Sequence, residues 1–328
     1  MKILILTHSD VEQLLPMSEC IAVMEEALTS LTRGEMHQPL RMVVKPPEAA
    51  GVIAMMPAYR SGADPVFGLK AICVFPGNPQ KGKDSHQGGV LLFSGDTGEP
   101  LAMMNASAIT AIRTAAVSAV ATRALAREDA CELAIIGAGV QARSHLAALS
   151  CVRQIKRARI ASRTFDHAQE FVAEAQADFA FPISAEVDVR AAVTDADLIV
   201  TATTSREPVL QRHWIAPGAH INAIGTYSPR AREVDTATML AAKVFVDRRE
   251  SALNEAGDYL IAADEGAIGP DHIRAELGEV LIGAAPGRTT PDEITLFKSL
   301  GLAIEDLAAA AYLYQKAQQK NFGAWVEF

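Results

Sequence analysis

The segment from Glu132 to Leu149 constrains this chain more than any other. It reads Glu132-Leu-Ala-Ile-Ile-Gly-Ala-Gly-Val-Gln-Ala142, then Arg143-Ser-His-Leu-Ala-Ala-Leu149. Four apolar residues in a row predict a buried strand. Gly137 and Gly139 predict a tight turn, and an apolar-periodic helix follows at once. Strand, G-x-G-x-x-A and helix in this order form a dinucleotide-binding fingerprint. Gly137 permits the turn, Gly139 carries no side chain to block a pyrophosphate, and Ala142 lets helix and strand pack closely. Helical N–H groups beginning at Val140 and Gln141 would point at the phosphates, with the helix dipole adding to the attraction.

The fingerprint begins well inside the chain, so a whole module precedes it. That module opens with a short strand, Ile3 to Leu6, and an amphipathic helix bearing Val11, Leu14, Leu15, Ile21, Val23, Met24 and Leu28. Strand-like runs follow at Arg41–Lys45, Val52–Met56, Gly68–Phe75 and Val90–Phe93, separated by turns rich in Gly, Pro, Asn and Asp. Short turns between consecutive strands predict an antiparallel or mixed sheet. A long alanine-rich helix, about Ser107 to Ala126, leads into the fingerprint. Beyond it, strands at Arg159–Ser162, Leu198–Ala202, His220–Ile224 and Val244–Val246 predict the βα rhythm of a doubly wound parallel sheet. A final helix, about Leu302 to Lys320, is expected to return to the first module. The fold class is therefore α/β: a Rossmann doubly wound parallel sheet plus an α+β substrate and dimerisation domain. The expected division is 1–125 with 304–328 returning, and 126–303.

Composition narrows the partners. With 328 residues and an apolar fraction of 49%, the chain can bury a large core in two domains. A net charge of −9 without any basic run argues against nucleic acid and anionic membranes. The cysteines Cys20, Cys73, Cys131 and Cys151 have neither zinc-ligand nor redox spacing, which predicts reduced thiols in the cytoplasm. No signal peptide, metal motif, nucleophile elbow or phosphate-binding P-loop is found, and no apolar run of membrane-spanning length is read.

Several residues break the pattern around them. After the second Rossmann strand the chain reads Ala161-Ser162-Arg163-Thr164, with no carboxylate to bond a ribose 2′-OH. An arginine between two hydroxyls suits a 2′-phosphate, which predicts NADP(H) in preference to NAD(H). Asp166 falls where the next helix starts and is read as its cap. Lys70 shares a strand face with Ile72 and Val74, where a charge is costly unless paired or used. Arg113 lies on a helical stripe with Ile109, Val117 and Val120. It is either a core arginine paired with a distant carboxylate or a clamp for a substrate carboxylate. Arg41 alternates with Val43 and Lys45 and by pattern alone suits a solvated face. His86, in a Gly-rich turn, is read as a solvated loop residue.

Together these segments resemble the ornithine cyclodeaminase/mu-crystallin family over essentially the whole chain. The carrying segments are Gly51-Val-Ile-Ala-Met-Met-Pro57, Gly68-Leu-Lys70, Phe75-Pro-Gly-Asn78 and Thr97-Gly-Glu-Pro100. Further on come Ala111-Ile-Arg-Thr-Ala-Ala116, the fingerprint with His145-Leu146, Glu255-Ala-Gly-Asp258, Thr295-Leu-Phe-Lys-Ser-Leu-Gly301 and Ile304-Glu-Asp-Leu307. The resemblance implies redox chemistry on amino acids or cyclic imines in a homodimer. It implies that Arg41, Lys70 and Arg113 bind the substrate carboxylate, and that Lys70 and Arg113 act in catalysis. It implies cofactor contacts from Thr114, Thr203, Gly225, Ser299 and Gly301, beside those from Gly137, Gly139, Val140, Gln141, Ser162, Arg163 and Thr164.

One departure from the family pattern matters most. Cyclodeaminases carry an aspartate shortly after the fifth Rossmann strand, where this chain has Tyr227. A second family carboxylate is replaced by Ala54. Ornithine deamination needs a base near neutral pH; reduction of an imine does not. The resemblance therefore implies a ketimine reductase-like member acting on Δ1-pyrroline-2-carboxylate or Δ1-piperideine-2-carboxylate. Ornithine cyclodeamination, alanine-type dehydrogenation and non-catalytic NADPH or small-molecule binding are the alternatives.

Overall fold

The computed structural model describes residues 1–328, the side chain of Pro79 excepted. Two compact units emerge, one from 1–114 with 301–328 and the other from 115–300. The sequence places this division at 125/126 and 303/304. It falls instead inside the single helix Ala106–Leu125. The physical reason is hydrogen bonding. Ser118 bonds His145 Nε2 (2.9 Å) and Thr122 Oγ1 accepts from Asn222 Nδ2 (2.9 Å), both buried pairs that tie the helix's second half to the Rossmann unit.

The first unit contributes β1 (Lys2–Leu6), β2 (Met36–His37), β3 (Met42–Val44), β4 (Val52–Arg60), β5 (Val66–Val74), β6 (His86–Ser94) and β7 (Pro100–Asn105). The second contributes β8 (Glu132–Ile136), β9 (Arg157–Ala161), β10 (Ile183–Ala185), β11 (Leu198–Thr201), β12 (His220–Ala223), β13 (Lys243–Val246), β14 (Ile273–Glu276) and β15 (Thr295–Lys298). The chain closes with β16 (Ala324–Glu327) back in the first unit.

The first unit's sheet runs β16-β1-β7-β6-β5-β4-β2, with β3 on β4. β1 pairs β7 in parallel and the remaining pairings are antiparallel, so the sheet is mixed. Strand alternation sorts its side chains. Ala54, Met56, Ala58, Ile72, Val90 and Leu92 are buried, together with Lys70. The helix Ala303–Lys320 packs on this face, so closely that a Cβ on Gly68 would lie 2.8 Å from Leu307. The opposite face keeps large apolar groups exposed, including Phe67 and Met103. β7, β2 and β16 are not read from the sequence: the first abuts the alanine-rich helix, and the other two are too short or too exposed to show a pattern.

The second unit is an all-parallel sheet in the order β10-β9-β8-β11-β12-β15-β13-β14. Buried on both faces, its strands read as continuous apolar runs. β8 lies where the strand order reverses, and the turn after it is the ligand-binding position of such sheets. The helix Ala106–Leu125, expected from the sequence as an alanine-rich helix, is long and apolar enough to cross a membrane by length and composition, although no apolar run of that length is read from the sequence. It is mostly buried inside the protein.

Candidate active site

In the second unit the fingerprint adopts its expected geometry. Gly137 has φ +124°, and a Cβ there would approach the Ala202 carbonyl to 2.4 Å, so glycine is required. A Cβ on Gly139, by contrast, would meet nothing within 4 Å. Gly139 is the N-cap of the helix Val140–Ser150 and provides no side-chain cap, which leaves the first-turn amides to a ligand. Ala142 is fully buried. A dinucleotide fits this turn: open space over Gly139, uncapped amides behind it, and Val140 exposed beside it. At the end of β9, Ser162 is half-buried while Arg163 and Thr164 are exposed; Arg163 has no side-chain partner among the described residues. Asp166 stands in the first turn of the next helix, Phe165–Ala175, whose N-cap is Thr164 rather than Asp166.

The carboxyl ends of the neighbouring strands are fixed by a buried polar cluster that the sequence did not disclose. Glu233 is fully buried and accepts from Thr201 Oγ1 (2.8 Å), Thr203 N (2.7 Å), Thr203 Oγ1 (2.8 Å) and Gly225 N (2.7 Å). Gly225 must be glycine because a Cβ would lie 2.3 Å from the Thr203 carbonyl. Asp258 accepts from Glu233 N (2.6 Å), Val234 N (3.1 Å) and Thr226 Oγ1 (3.0 Å), and pairs with Lys298 Nζ at 2.9 Å. Burial pushes the Glu233 carboxyl up, with Lys298 opposing it. Burial also pushes Asp258 up, but Lys298 and the bonded amides outweigh it and hold that carboxyl below its ordinary range. Ser299, next after β15, is buried, and its hydroxyl has no hydrogen-bond partner among the described residues. Thr203, Gly225 and Ser299 thus lie together at the strand ends. Glu233 carries no sequence signal; Lys298 and Asp258 stand out only as members of family segments.

The first unit holds a different cluster. Lys70 and Arg113, only 3% and 4% exposed, converge on two carboxylates of the helix Ala303–Lys320. Lys70 Nζ lies 3.1 and 3.3 Å from the two Asp306 oxygens, and Arg113 Nε lies 3.2 Å from the same Asp306 Oδ1. Arg113 Nη1 reaches Glu305 at 2.6 Å. Arg113 is paired with distant carboxylates, as the first of its two readings expects; the pairing does not decide between that reading and a clamp, which would share the guanidinium with them. The signal for the partners was present: Glu305-Asp306 interrupts an otherwise apolar run from Leu300 to Leu313. Burial lowers the Lys70 ammonium to about 8, with Asp306 resisting the fall. Cys20, buried nearby, is pushed up to about 12 by burial.

Arg41 precedes β3 and donates from Nη2 to the Gly301 carbonyl (3.0 Å). A plain solvated face does not describe it. Gly301, at φ +76°, is itself tight against Arg113: a Cβ would lie 2.6 Å from Nη1. Thr114 is buried on the helix after Arg113. His86 is part-buried rather than solvated, bonds Ser85 at 3.0 Å, and is held toward the neutral form by burial and then by Lys70. Ala54 is buried on β4 and Tyr227 is exposed beyond β12. Among the described residues no group of three or more His, Cys, Asp or Glu side chains is arranged to hold a metal.

The ornithine cyclodeaminase/mu-crystallin family profile matches residues 1–321. Mouse ketimine reductase mu-crystallin is 41% identical over 297 residues, which is 90% of each chain. The Thermococcus litoralis Δ1-pyrroline-2-carboxylate reductase, solved with NADH and L-proline, superposes with a TM-score of 0.96 at 40% identity, covering 99% of this chain and 100% of that one. An archaeal alanine dehydrogenase dimer with bound NAD gives a TM-score of 0.94 at 35% identity over the whole of both chains.

Proposed function

Since the chain belongs to the ornithine cyclodeaminase/mu-crystallin family, we propose that it is an oxidoreductase that reduces cyclic 2-imino acids. Δ1-Pyrroline-2-carboxylate or Δ1-piperideine-2-carboxylate would give proline or pipecolate, and NADPH would be preferred to NADH. The observation that carries this reading is a buried pair of cations brought together in the first unit. Lys70 and Arg113 are buried and fixed, and the family resemblance implies that Ala54 and Tyr227 stand where a cyclodeaminase has carboxylates.

The cofactor, when bound, supplies the hydride. Gly137, Gly139, Val140 and Gln141 would hold its pyrophosphate, Ser162, Arg163 and Thr164 its 2′-phosphate, and Thr203, Gly225 and Ser299 its nicotinamide half. Arg41, Lys70 and Arg113 bind the imino acid through its carboxylate and so orient the C=N bond. Lys70, titrating near 8, is a proton donor for the imine nitrogen at neutral pH. Fixed cations around a bound carboxylate contribute through proximity and electrostatics, which is what hydride delivery to a polar double bond requires.

The preference for NADPH rests on exposed Arg163 with its hydroxyl neighbours. A homodimer is supported by the exposed apolar face of the first sheet, with Phe67 and Met103 in water. Sedimentation at micromolar protein should show a dimer; a purely monomeric species would contradict it.

The test of function is cofactor oxidation with a panel of cyclic imino acids, and of 2-oxo acids with ammonia. We expect the cyclic imino acids to dominate. Faster turnover of pyruvate with ammonia would favour the alanine dehydrogenase reading suggested by the archaeal relative. Robust ammonia release from ornithine would overturn the reductase assignment, and binding without turnover would leave a carrier protein.

A further inference from the structure

Three cationic groups and two carboxylates gather in one region of the first unit, and one carboxylate oxygen is contacted by two of the cations. Asp306 Oδ1 lies 3.1 Å from Lys70 Nζ and 3.2 Å from Arg113 Nε. We propose that Asp306 is the positioning residue of imine reduction: it holds Lys70 and Arg113 as one unit and keeps Lys70 charged as the proton donor. The proposal rests on the reductase reading above.

The groups that act on Lys70 come from four places. Arg113 approaches from the helix Ala106–Leu125, Arg41 from the segment before β3, and His86 from β6. Asp306 approaches from the helix Ala303–Lys320. Burial, Arg113 and Arg41 all favour the neutral amine, and His86 is held neutral itself. Asp306 is what opposes them. With it, Lys70 stays protonated up to about 8, high enough to be an acid at pH 7 and low enough to release its proton readily. Glu305 is equally buried and adjacent in sequence, yet its carboxylate serves Arg113. The two neighbours therefore have separable tasks.

The step balances. The hydride forms the new C–H bond at C2 of the imino acid. The C=N π pair takes the Lys70 proton as an N–H bond. Reduced nicotinamide becomes oxidised nicotinamide, and Lys70 becomes a neutral amine that solvent reprotonates. Asp306 exchanges no proton with the substrate.

The experiment compares Asp306→Asn, Asp306→Glu and Glu305→Gln in the 328-residue chain. It reads the pH dependence of kcat/KM for a cyclic imino acid and, without substrate, the 15N titration of Lys70 Nζ, assigned by its loss in Lys70→Met. The wild type should lose activity as pH rises through about 8. Removing the carboxylate beside a cation should move that limb, and the NMR midpoint, about 1–3 pH units lower. Asp306→Glu should restore most of the shift. Glu305→Gln should weaken imino-acid binding while its limb moves less than half as far. An unmoved limb in folded Asp306→Asn, or equal movement in both single variants, overturns the proposal. So does a wild-type Lys70 that titrates at the ordinary lysine value, a result that needs neither Asp306 variant to fold. If the wild type reduces no imino acid, the reductase reading fails, while the NMR titration still judges Asp306.

Discussion

The two buried charged clusters of this molecule are built on opposite principles. In the second unit, Glu233 and Asp258 are surrounded by main-chain amides and threonine hydroxyls, and Asp258 pairs with Lys298. Those donors are parts of the backbone turns after β11 and β12. The cluster therefore fixes where the loops go, and the loops carry Thr203 and Gly225. In the first unit, the contacts of Lys70, Arg113, Glu305 and Asp306 run from side chain to side chain. One cluster is suited to be a rigid platform and the other to be a binding site.

The strongest way to break this comparison is to remove Arg113. Arg113→Ala deletes the guanidinium and leaves Glu305 and Asp306 short of a partner. Loss of one member of a buried pair typically costs about 3–5 kcal/mol of stability, and loss of a charged contact to a bound carboxylate about 2–5 kcal/mol of binding, so imino-acid turnover should fall by about 10²–10³-fold. NADPH affinity, measured by fluorescence, should hold. Arg113→Lys should also fail, since an ammonium cannot span two carboxylates as a guanidinium does. Near-normal kinetics for Arg113→Ala would make the first cluster structural, like the second.

Glu233→Gln sharpens the other side. An amide NH₂ would face the Thr203 and Gly225 N–H groups, leaving a buried donor unmet at a cost of about 1–3 kcal/mol. The expected result is a lower Tm and weaker cofactor binding, with the KM for imino acid little changed. A selective rise in that KM would mean the second cluster also handles substrate.

Arg163→Ala should be milder. A charge-assisted bond contributes about 1.5–3 kcal/mol, so NADPH should weaken by about 10- to 100-fold and NADH hardly at all. Equal losses for both cofactors would remove Arg163 from the 2′-phosphate site.

The smallest effect concerns pH and confines itself to the second unit. Burial holds His145 down to about 4 and His220 down to about 3. A histidine depressed in the folded state favours folding above its unfolded value near 6.5, and that contribution is lost as pH falls toward the folded value. Calorimetry should therefore show the Tm falling from pH 6.5 toward 4. His145→Asn should make the fall shallower by a few degrees. An identical slope would mean that His145 does not carry the effect.

Much of this was readable in the chain. The fingerprint from Glu132 to Ala142 gave the turn, the helix and the place of the site, because φ, ψ and close approach at Gly137 are local demands. Lys70 and Arg113 stood out because a cation on an apolar stripe violates a local pattern. Glu305 and Asp306 break an apolar run in the same way, but nothing local ties them to these cations. Lys70 and Asp306 are 236 residues apart, and nothing in the spacing of either announces the other. Glu233 sits in Ala231-Arg232-Glu233-Val234, which looks like an ordinary polar turn; its four donors come from two strand ends that only the parallel sheet brings together. The boundary inside the helix Ala106–Leu125 was equally invisible, since helical periodicity continues unbroken while the packing partners change at Thr114.

The sequence by itself determined the dinucleotide turn, the parallel sheet around it and the buried cations that seek a carboxylate. Those follow from periodicity, from glycine's conformational freedom and from the cost of burying charge, all of which act over a few residues. Only the tertiary structure decided which carboxylates answer Lys70 and Arg113, which one they share, and how the strand ends are latched. Those choices depend on distances between segments far apart along the chain. A buried charge dictates that it must be compensated, but which group compensates it is settled by packing.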